Sequence, residues 1–435
     1  VRKAPIIILA LVVLLPIAWI LFSSATPAVE LVTPPSVIGQ STPFTVMVTD
    51  RRGVRSVSAY VEQDGVRYPA AQTIDASTHR DRMWNFTVGV KSLPKLKDGK
   101  AQVIVEATSN DLLRRKGRVE REMTVVTHPP VVSVDTDTHY LYQGMADLAT
   151  FNIGGTFTQA GVKVGDETFR AWPMPNGKPG MFSLFAFGWN MPQSTIPQVY
   201  ATNGVGNDVM TPIEFQFPKK EQPKYTAHTL NLDDKFIQKV VNELDPNGSG
   251  DMVQRFVRIN NEMRKENNKT LSDLRLKTGN KFLWTQPFAR QSNAATEAHF
   301  ADRRTYVYKG KKIDEQVHLG YDLAVTKNVG VEASNDGRVI YAAPLGIYGN
   351  CIVLDHGYGL QTIYGHLSRI DVKEGDMVKR GQVMGLSGMT GMAGGDHIHF
   401  SMQLDGVQID PKEWWDGHWI KDHIAKRVDL PGFHE

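Results

Sequence analysis

From Pro27 to Lys220 apolar and polar residues alternate in short runs, and a period of two commits a segment to half-buried β-strands. Phe44-Thr45-Val46-Met47-Val48-Thr49, Trp84-Asn85-Phe86-Thr87-Val88 and Ala101-Gln102-Val103-Ile104-Val105 are three such runs. Asp64-Gly65 and Asp98-Gly99 supply turns between them, and Pro129-Pro130 interrupts the series near its midpoint. The pattern predicts two β-sandwich domains of immunoglobulin-like size, residues 27–128 and 129–220. Neither carries a constellation of titratable residues, so both suit a spacer or binding role. At 435 residues the chain is too long for one core, and roughly three folded units are expected.

The N-terminus has a different pattern. Arg2 and Lys3 precede an uncharged apolar run from Ala4 to Phe22, close to the length that crosses a bilayer. Residues 1–26 are therefore expected to form a transmembrane signal-anchor, with Pro16 tolerated inside it. Ser23-Ser24-Ala25 is a passable cleavage site for the alternative, a removed signal peptide. The first basic residue after the run is Arg51, so the positive charge lies on the N-terminal side. This places the folded part outside the cytoplasm, periplasmic or wall-facing, on a single-pass cytoplasmic-membrane protein.

From Asp233 to Leu276 the period changes to that of a helix. Phe236, Ile237, Val240, Val241 and Leu244 form one stripe, and Val253, Phe256, Val257 and Met263 a second, which predicts a helical hairpin within a linker spanning residues 221–280. Asp245-Pro246-Asn247-Gly248-Ser249-Gly250 resembles the start of a calcium loop, but Phe256 stands where a bidentate Glu is required, so a plain turn is expected. The single cysteine, Cys351, excludes an intrachain disulfide, and its apolar neighbours place it on a buried strand. A net charge of +3 gives no footprint for nucleic acid as a partner.

Chemistry is concentrated in residues 281–420, expected as an antiparallel β-sheet domain followed by a tail at 421–435. Five of the thirteen histidines lie between His318 and His399. His318-Leu319-Gly320-Tyr321-Asp322 offers an imidazole and a carboxylate, both ligands for zinc. In an extended strand their Cα atoms would stand about 13 Å apart, so the chain must bend between them, and Gly320 permits it. In His397-Ile398-His399-Phe400 a strand directs both imidazoles to one face. One can reach a metal while the other stays beside it to move a proton. A catalytic zinc takes three protein ligands and an open position, and His318, Asp322 and His399 would supply the three. His366, in Tyr364-Gly365-His366-Leu367-Ser368, would then be a proton acceptor, or a donor to a tetrahedral oxyanion. No His-Glu-x-x-His helix occurs, so histidines must replace the usual glutamate base.

With these motifs Val317 to Pro411 resembles the lysostaphin/LytM-type zinc metallopeptidases of bacterial cell walls. The resemblance rests on His-x-Gly-x-Asp at His318 to Asp322, Tyr-Gly-His-Leu-Ser at Tyr364 to Ser368 and His-x-His at His397 to His399. It also includes Phe300-Ala301-Asp302-Arg303, similar to the family's Phe-Gly-x-Arg, and the glycine turns between Val372 and Gly385. It implies one zinc ion held by His318, Asp322 and His399, with His366 and His397 as the catalytic pair. It further implies a mainly β zinc peptidase domain that cuts peptide cross-links of peptidoglycan. Two other functions fit the resemblance: a LytM-like regulator that activates cell-wall amidases without catalysis, and a zinc peptidase acting on a secreted protein. A regulatory protein partner is compatible with either. The chain departs from the family at Gly394-Gly395-Asp396, where Thr-Gly-Pro is usual before the histidine. Asp396 is there either a solvated loop carboxylate or the group that holds His397 protonated. The Val372 to Gly385 turns are also similar to those of lipoyl and biotin carrier domains, but the lysine that such domains modify is missing.

Overall fold

The computed structural model describes residues 14, 15, 19, 24–74, 80–218 and 225–433. The expected membrane anchor lies outside the described residues except for Leu14, Leu15, Trp19 and Ser24 to Thr26, as does the domain boundary expected at 220–221. Among the described residues no helix is long and apolar enough to cross a membrane.

The chain is mainly β and divides into two compact units. The first comprises residues up to Val131 with the segments Gly154–Gln159 and Ala201–Val209. In it a three-stranded sheet (Ala28–Val32, Thr42–Thr49, Asp81–Val88) faces a five-stranded one (Val37–Ile38, Lys116–Val125, Gly99–Ser109, Val54–Gln63, Val66–Ile74). The alternation explains the packing: Phe44, Val46 and Val48 of one sheet and Val57, Ala59, Val61, Val103, Val105 and Ala107 of the other share one core. At the hairpin after Gln63, Asp64 and Gly65 both have positive φ, 51° and 76°, as a two-residue turn of this kind requires.

The second unit holds the rest of the second β region together with everything from Met210 onward. The two share a hydrophobic core, in which Leu148, Phe169, Phe182 and Phe185 are buried with Trp284, Phe288, Tyr364, Phe400 and Trp414. Residues 421–433, the described part of the tail expected at 421–435, instead bury Ile424, Val428, Leu430 and Phe433 in that core. Helical turns at Lys421–Ala425 and Lys426–Val428 carry the first two.

The C-terminal part is built on strands β1 (Ala227–Leu232), β2 (Ala295–Ala298), β3 (Asp302–Tyr308), β4 (Lys311–His318), β5 (Tyr321–Ala324), β6 (Gly337–Pro344), β7 (Asn350–Asp355), β8 (Leu360–Leu367), β9 (Met377–Val378), β10 (His397–Leu404) and β11 (Val407–Ile409). Eight of these form one sheet in the order β2-β5-β10-β8-β7-β6-β9, with β11 on β10. A separate sheet has the order β1-β3-β4. Both faces of the larger sheet are covered, which is why β7 and β8 are buried nearly throughout. Ile352 and Leu354 enter the core just described, whereas Cys351, Val353 and Ile363 enter another with the helices.

Those helices are α1 (Asp234–Leu244), α2 (Met252–Arg258) and α3 (Arg264–Asp273), the last two joined by a wide turn at Ile259–Met263. Ile237, Val240, Val241 and Phe256, on the stripes read from the sequence, are buried against the sheet. Asp233 caps α1 by accepting from Phe236 N–H at 2.7 Å, and Asp251 caps α2 by accepting from Val253 N–H and Gln254 N–H. Asp245 pairs with Arg255 at 3.2 Å, which explains the turn there as an ion-paired connection.

Candidate metal centre

Register brings the candidate residues together. β5 and β10 are antiparallel neighbours with Asp322 opposite His399, so their side chains leave one face of the sheet side by side. His318 ends β4, in the smaller sheet, and the chain then bends at Leu319 and Gly320 to enter β5 in the larger one. The bend expected at Gly320 is present, but its φ is not left-handed. The glycine is needed for space: a Cβ there would stand 2.7 Å from His399 Cε1 and 2.8 Å from Nε2.

His318 Nε2, Asp322 Oδ1 and His399 Nδ1 form a small triangle. Its sides are 3.0 Å between His318 and Asp322, 3.0 Å between His318 and His399, and 3.3 Å between His399 and Asp322. Tetrahedral coordination at zinc-ligand distances separates ligand atoms by about 3.3 Å, so two imidazoles and one carboxylate fit a single zinc ion with a position left open. His318 Nδ1 donates to the His299 carbonyl at 3.1 Å, which leaves Nε2 with its lone pair toward the triangle. All three residues are buried. Burial alone would raise the Asp322 carboxyl, but the surrounding imidazoles of His318, His397 and His399 hold it well below the usual carboxylate range. Burial lowers His399 to about 4, which keeps its imidazole neutral as a ligand must be.

His366 and His397 stand beside this triangle, their rings 4.8 Å apart. Each has Nδ1 tied to a backbone carbonyl, His366 to Thr390 at 2.8 Å and His397 to Gly395 at 2.9 Å, so each turns Nε2 away from the backbone. His366 has a left-handed φ of 67°, unusual for a residue with a Cβ and a form of strain that clusters at functional sites. Burial, reinforced by His397 and His399, keeps His366 well below the ordinary histidine range. His397 is also pulled down by burial, but a hydrogen bond and charge from Asp322, 3.5 Å away, raise it overall. A bound divalent cation would favour the neutral imidazole at both positions. The carboxylate facing His397 is thus Asp322. Asp396 instead accepts from Asn328 N–H at 3.2 Å.

Some groups around the site were not singled out in the sequence. Arg304 donates to Asp322 Oδ2 at 2.6 Å, and Tyr348 lies edge-on to His399 with ring centroids 5.3 Å apart. Strand parity was the available signal for Arg304. Arg303, one residue earlier and part of the quoted motif, is exposed. His299 and Thr390 act through backbone carbonyls, for which side-chain identity gives no signal. Ala301, at the motif's glycine position, has a φ of 60° and donates its N–H to His318 O at 2.7 Å. The remaining histidine of this stretch, His356, is a core residue, bonded to Asp336 O and Thr362 Oγ1. Burial pushes the Cys351 thiol up, away from reactivity.

All five candidate residues line one groove of about 740 Å³, which β1, Phe236 of α1 and Arg264 and Asn268 of α3 also border. A β-sheet that gathers two imidazoles and a carboxylate, with two further imidazoles alongside, defines a candidate single-metal centre of hydrolytic type. Residues 316–411 match the family model of peptidase family M23, and the chain carries a domain of that family at its C-terminus. The DD-carboxypeptidase/endopeptidase Mpg of Neisseria meningitidis serogroup B is 35% identical over 96 residues, 22% of this chain and 22% of that protein. The peptidoglycan DD-endopeptidase ShyA of Vibrio cholerae serotype O1 is 42% identical over 93 residues, 21% of this chain and 22% of that protein. The matched stretch thus spans about a fifth of these curated relatives. The catalytic domain of lysostaphin from Staphylococcus simulans is 24% identical, with a TM-score of 0.22 covering 33% of this chain and 96% of that one. The family match and the two curated relatives support a metallopeptidase or peptidoglycan hydrolase, or a related function, for the domain.

Proposed function

We propose that this chain is a zinc-dependent endopeptidase that hydrolyses peptide cross-links of peptidoglycan. The observation that carries the reading is the triangle of His318 Nε2, Asp322 Oδ1 and His399 Nδ1, complete and matched in size to one ion, beside two more imidazoles. Bound there, zinc would supply the Lewis acidity that polarises an amide carbonyl and activates water at neutral pH. Of the two neighbouring imidazoles, His366 is the better proton acceptor, because burial keeps it neutral and its Nδ1 proton is committed to Thr390. His397, with Nδ1 tied to the Gly395 carbonyl and Nε2 3.5 Å from Asp322, stands beside the ligand triangle where it can stabilise an oxyanion or protonate the leaving amine. Glycan cleavage is disfavoured, since it uses a pair of carboxylates and Asp322 is here a ligand.

Three complete ligands favour catalysis over a purely regulatory role, and the endopeptidase relatives point to peptidoglycan as the polymer. The reading includes a single-pass anchor in the cytoplasmic membrane with the folded part outside the cytoplasm, which rests on Arg2, Lys3 and the apolar run Ala4 to Phe22. Digestion of purified sacculi with the full chain tests it. New primary amines, with cross-linked dimers falling to monomers, are expected. New reducing ends, or whole peptides released from muramic acid, would overturn it. Retention of the full-length chain in membranes after a carbonate wash is the expected result for location, and a soluble mature form starting near Thr26 would refute the anchor.

A further inference from the structure

We propose that the free edge of β1 is a docking rail on which an extended peptide adds as a further strand, carried past the metal centre by the backbones of Thr229 and Asn231. The proposal rests on the endopeptidase reading and names how the substrate is held. In its sheet β1 has one neighbour, β3, to which it runs parallel with Ala227 opposite Arg303 and Leu232 opposite Tyr308. Arg303 N–H donates to Thr226 O at 2.8 Å. In a parallel ladder this one bond fixes the parity: His228, Leu230 and Leu232 turn their backbone groups to β3, and Ala227, Thr229 and Asn231 turn theirs to the open side.

Among the described residues no hydrogen bond reaches the backbone of Thr229 or Asn231. The strand is nevertheless held firmly, because Leu230 and Leu232 pack into the core beneath the helices. The open side belongs to the catalytic groove: His228 to Leu232 line the same space as His318, Asp322, His366, His397 and His399. Exposed strand edges are normally blocked by charge, proline or a covering element. Here the outward positions are Ala, Thr and Asn, with no lysine, acid or proline on the strand. A peptide has what such an edge lacks, alternating N–H and C=O groups at matching spacing. Thr229 and Asn231 offer it up to four main-chain hydrogen bonds whatever its side chains, which suits a substrate of short, unusual peptides.

Thr229→Pro and Asn231→Pro each remove one outward N–H while leaving the ladder to β3 untouched. Each is expected to weaken binding of a soluble cross-linked peptide dimer prepared from peptidoglycan by roughly 3- to 10-fold, the worth of one hydrogen bond, with zinc content and melting temperature as in wild type. If either variant misfolds, amide exchange decides instead: in His366→Ala, which binds without turnover, the Thr229 and Asn231 amides should slow when the dimer is added. Saturating binding with both amides unprotected would overturn the rail, and so would proline variants that bind as wild type does. Cleavage of the dimer by wild-type protein is scored separately. Cleavage without protection removes the rail and keeps the endopeptidase, protection without cleavage does the reverse, and neither binding nor cleavage removes both.

Discussion

The Arg304 guanidinium donates to Oδ2 of Asp322 at 2.6 Å, while Oδ1 of the same carboxylate faces His318 and His399. The arginine thus assigns the two oxygens: one is held from outside, and the other is left for the ion. Arg304→Ala should free the carboxylate to rotate or bind through both oxygens, with zinc affinity falling by about 10- to 100-fold. Arg304→Lys should fall between, since it keeps the charge but not the planar fork. Competition with a chelator measures this, and identical titrations for wild type and Arg304→Ala would remove the role.

Gly320 carries the His399 ring against its Cα, and an added methyl would meet His399 Cε1 and the Phe400 carbonyl oxygen, each at 2.7 Å. Neither strand can yield without shifting the Asp322–His399 pairing. Gly320→Ala is expected to cost about 1–3 kcal/mol, the usual range for overpacking, and to reduce zinc occupancy together with melting temperature. A variant with both values unchanged would show that the ring has room.

Ligands and neighbours should separate cleanly. His318→Ala, Asp322→Ala and His399→Ala are expected to lose zinc and activity, because each leaves two of three ligands. His366→Ala and His397→Ala should retain zinc and lose about 10²- to 10⁴-fold in turnover, the usual contribution of acid–base groups. Metal analysis of the five proteins decides it. Loss of zinc in His397→Ala with retention in His399→Ala would exchange their roles.

Glu413 provides a test of stability against pH. Burial pushes its carboxyl well above the usual range, and Asp410 and Asp147 add repulsion. The folded state therefore holds a proton that the unfolded chain releases near pH 4.3, so stability falls as pH rises from there toward the folded value. Glu413→Gln removes this loss. At pH 7 the variant should melt higher, by about 2–4 °C for each kcal/mol recovered, and below pH 4 the difference should close. A gain that persists undiminished in acid would contradict the burial argument.

Much of the site was legible because its residue types are chemically specific and closely spaced. His397 and His399 are two positions apart, which a strand period places on one face, and His318 and Asp322 are four apart across a glycine that permits a bend. The strands of the first unit were legible for the same reason, since alternation is a local property. The contacts of Asp396 were not. Its place beside His397 in the chain suggested a partnership, but the Asn328 amide takes its carboxylate and Asp322 faces His397.

The sequence by itself determined the β character of the chain, the helical stripes and the candidate ligands, because each follows from local periodicity or from the chemistry of a side chain. Only the tertiary structure decided that Asp322 lies opposite His399, 77 positions away, and that Arg304, not Arg303, reaches that carboxylate. It likewise decided that β1 runs parallel to β3 with its outer edge open to the groove. These are matters of register and of which strands become neighbours. Packing of distant segments against a shared core fixes both, and no local pattern records the outcome.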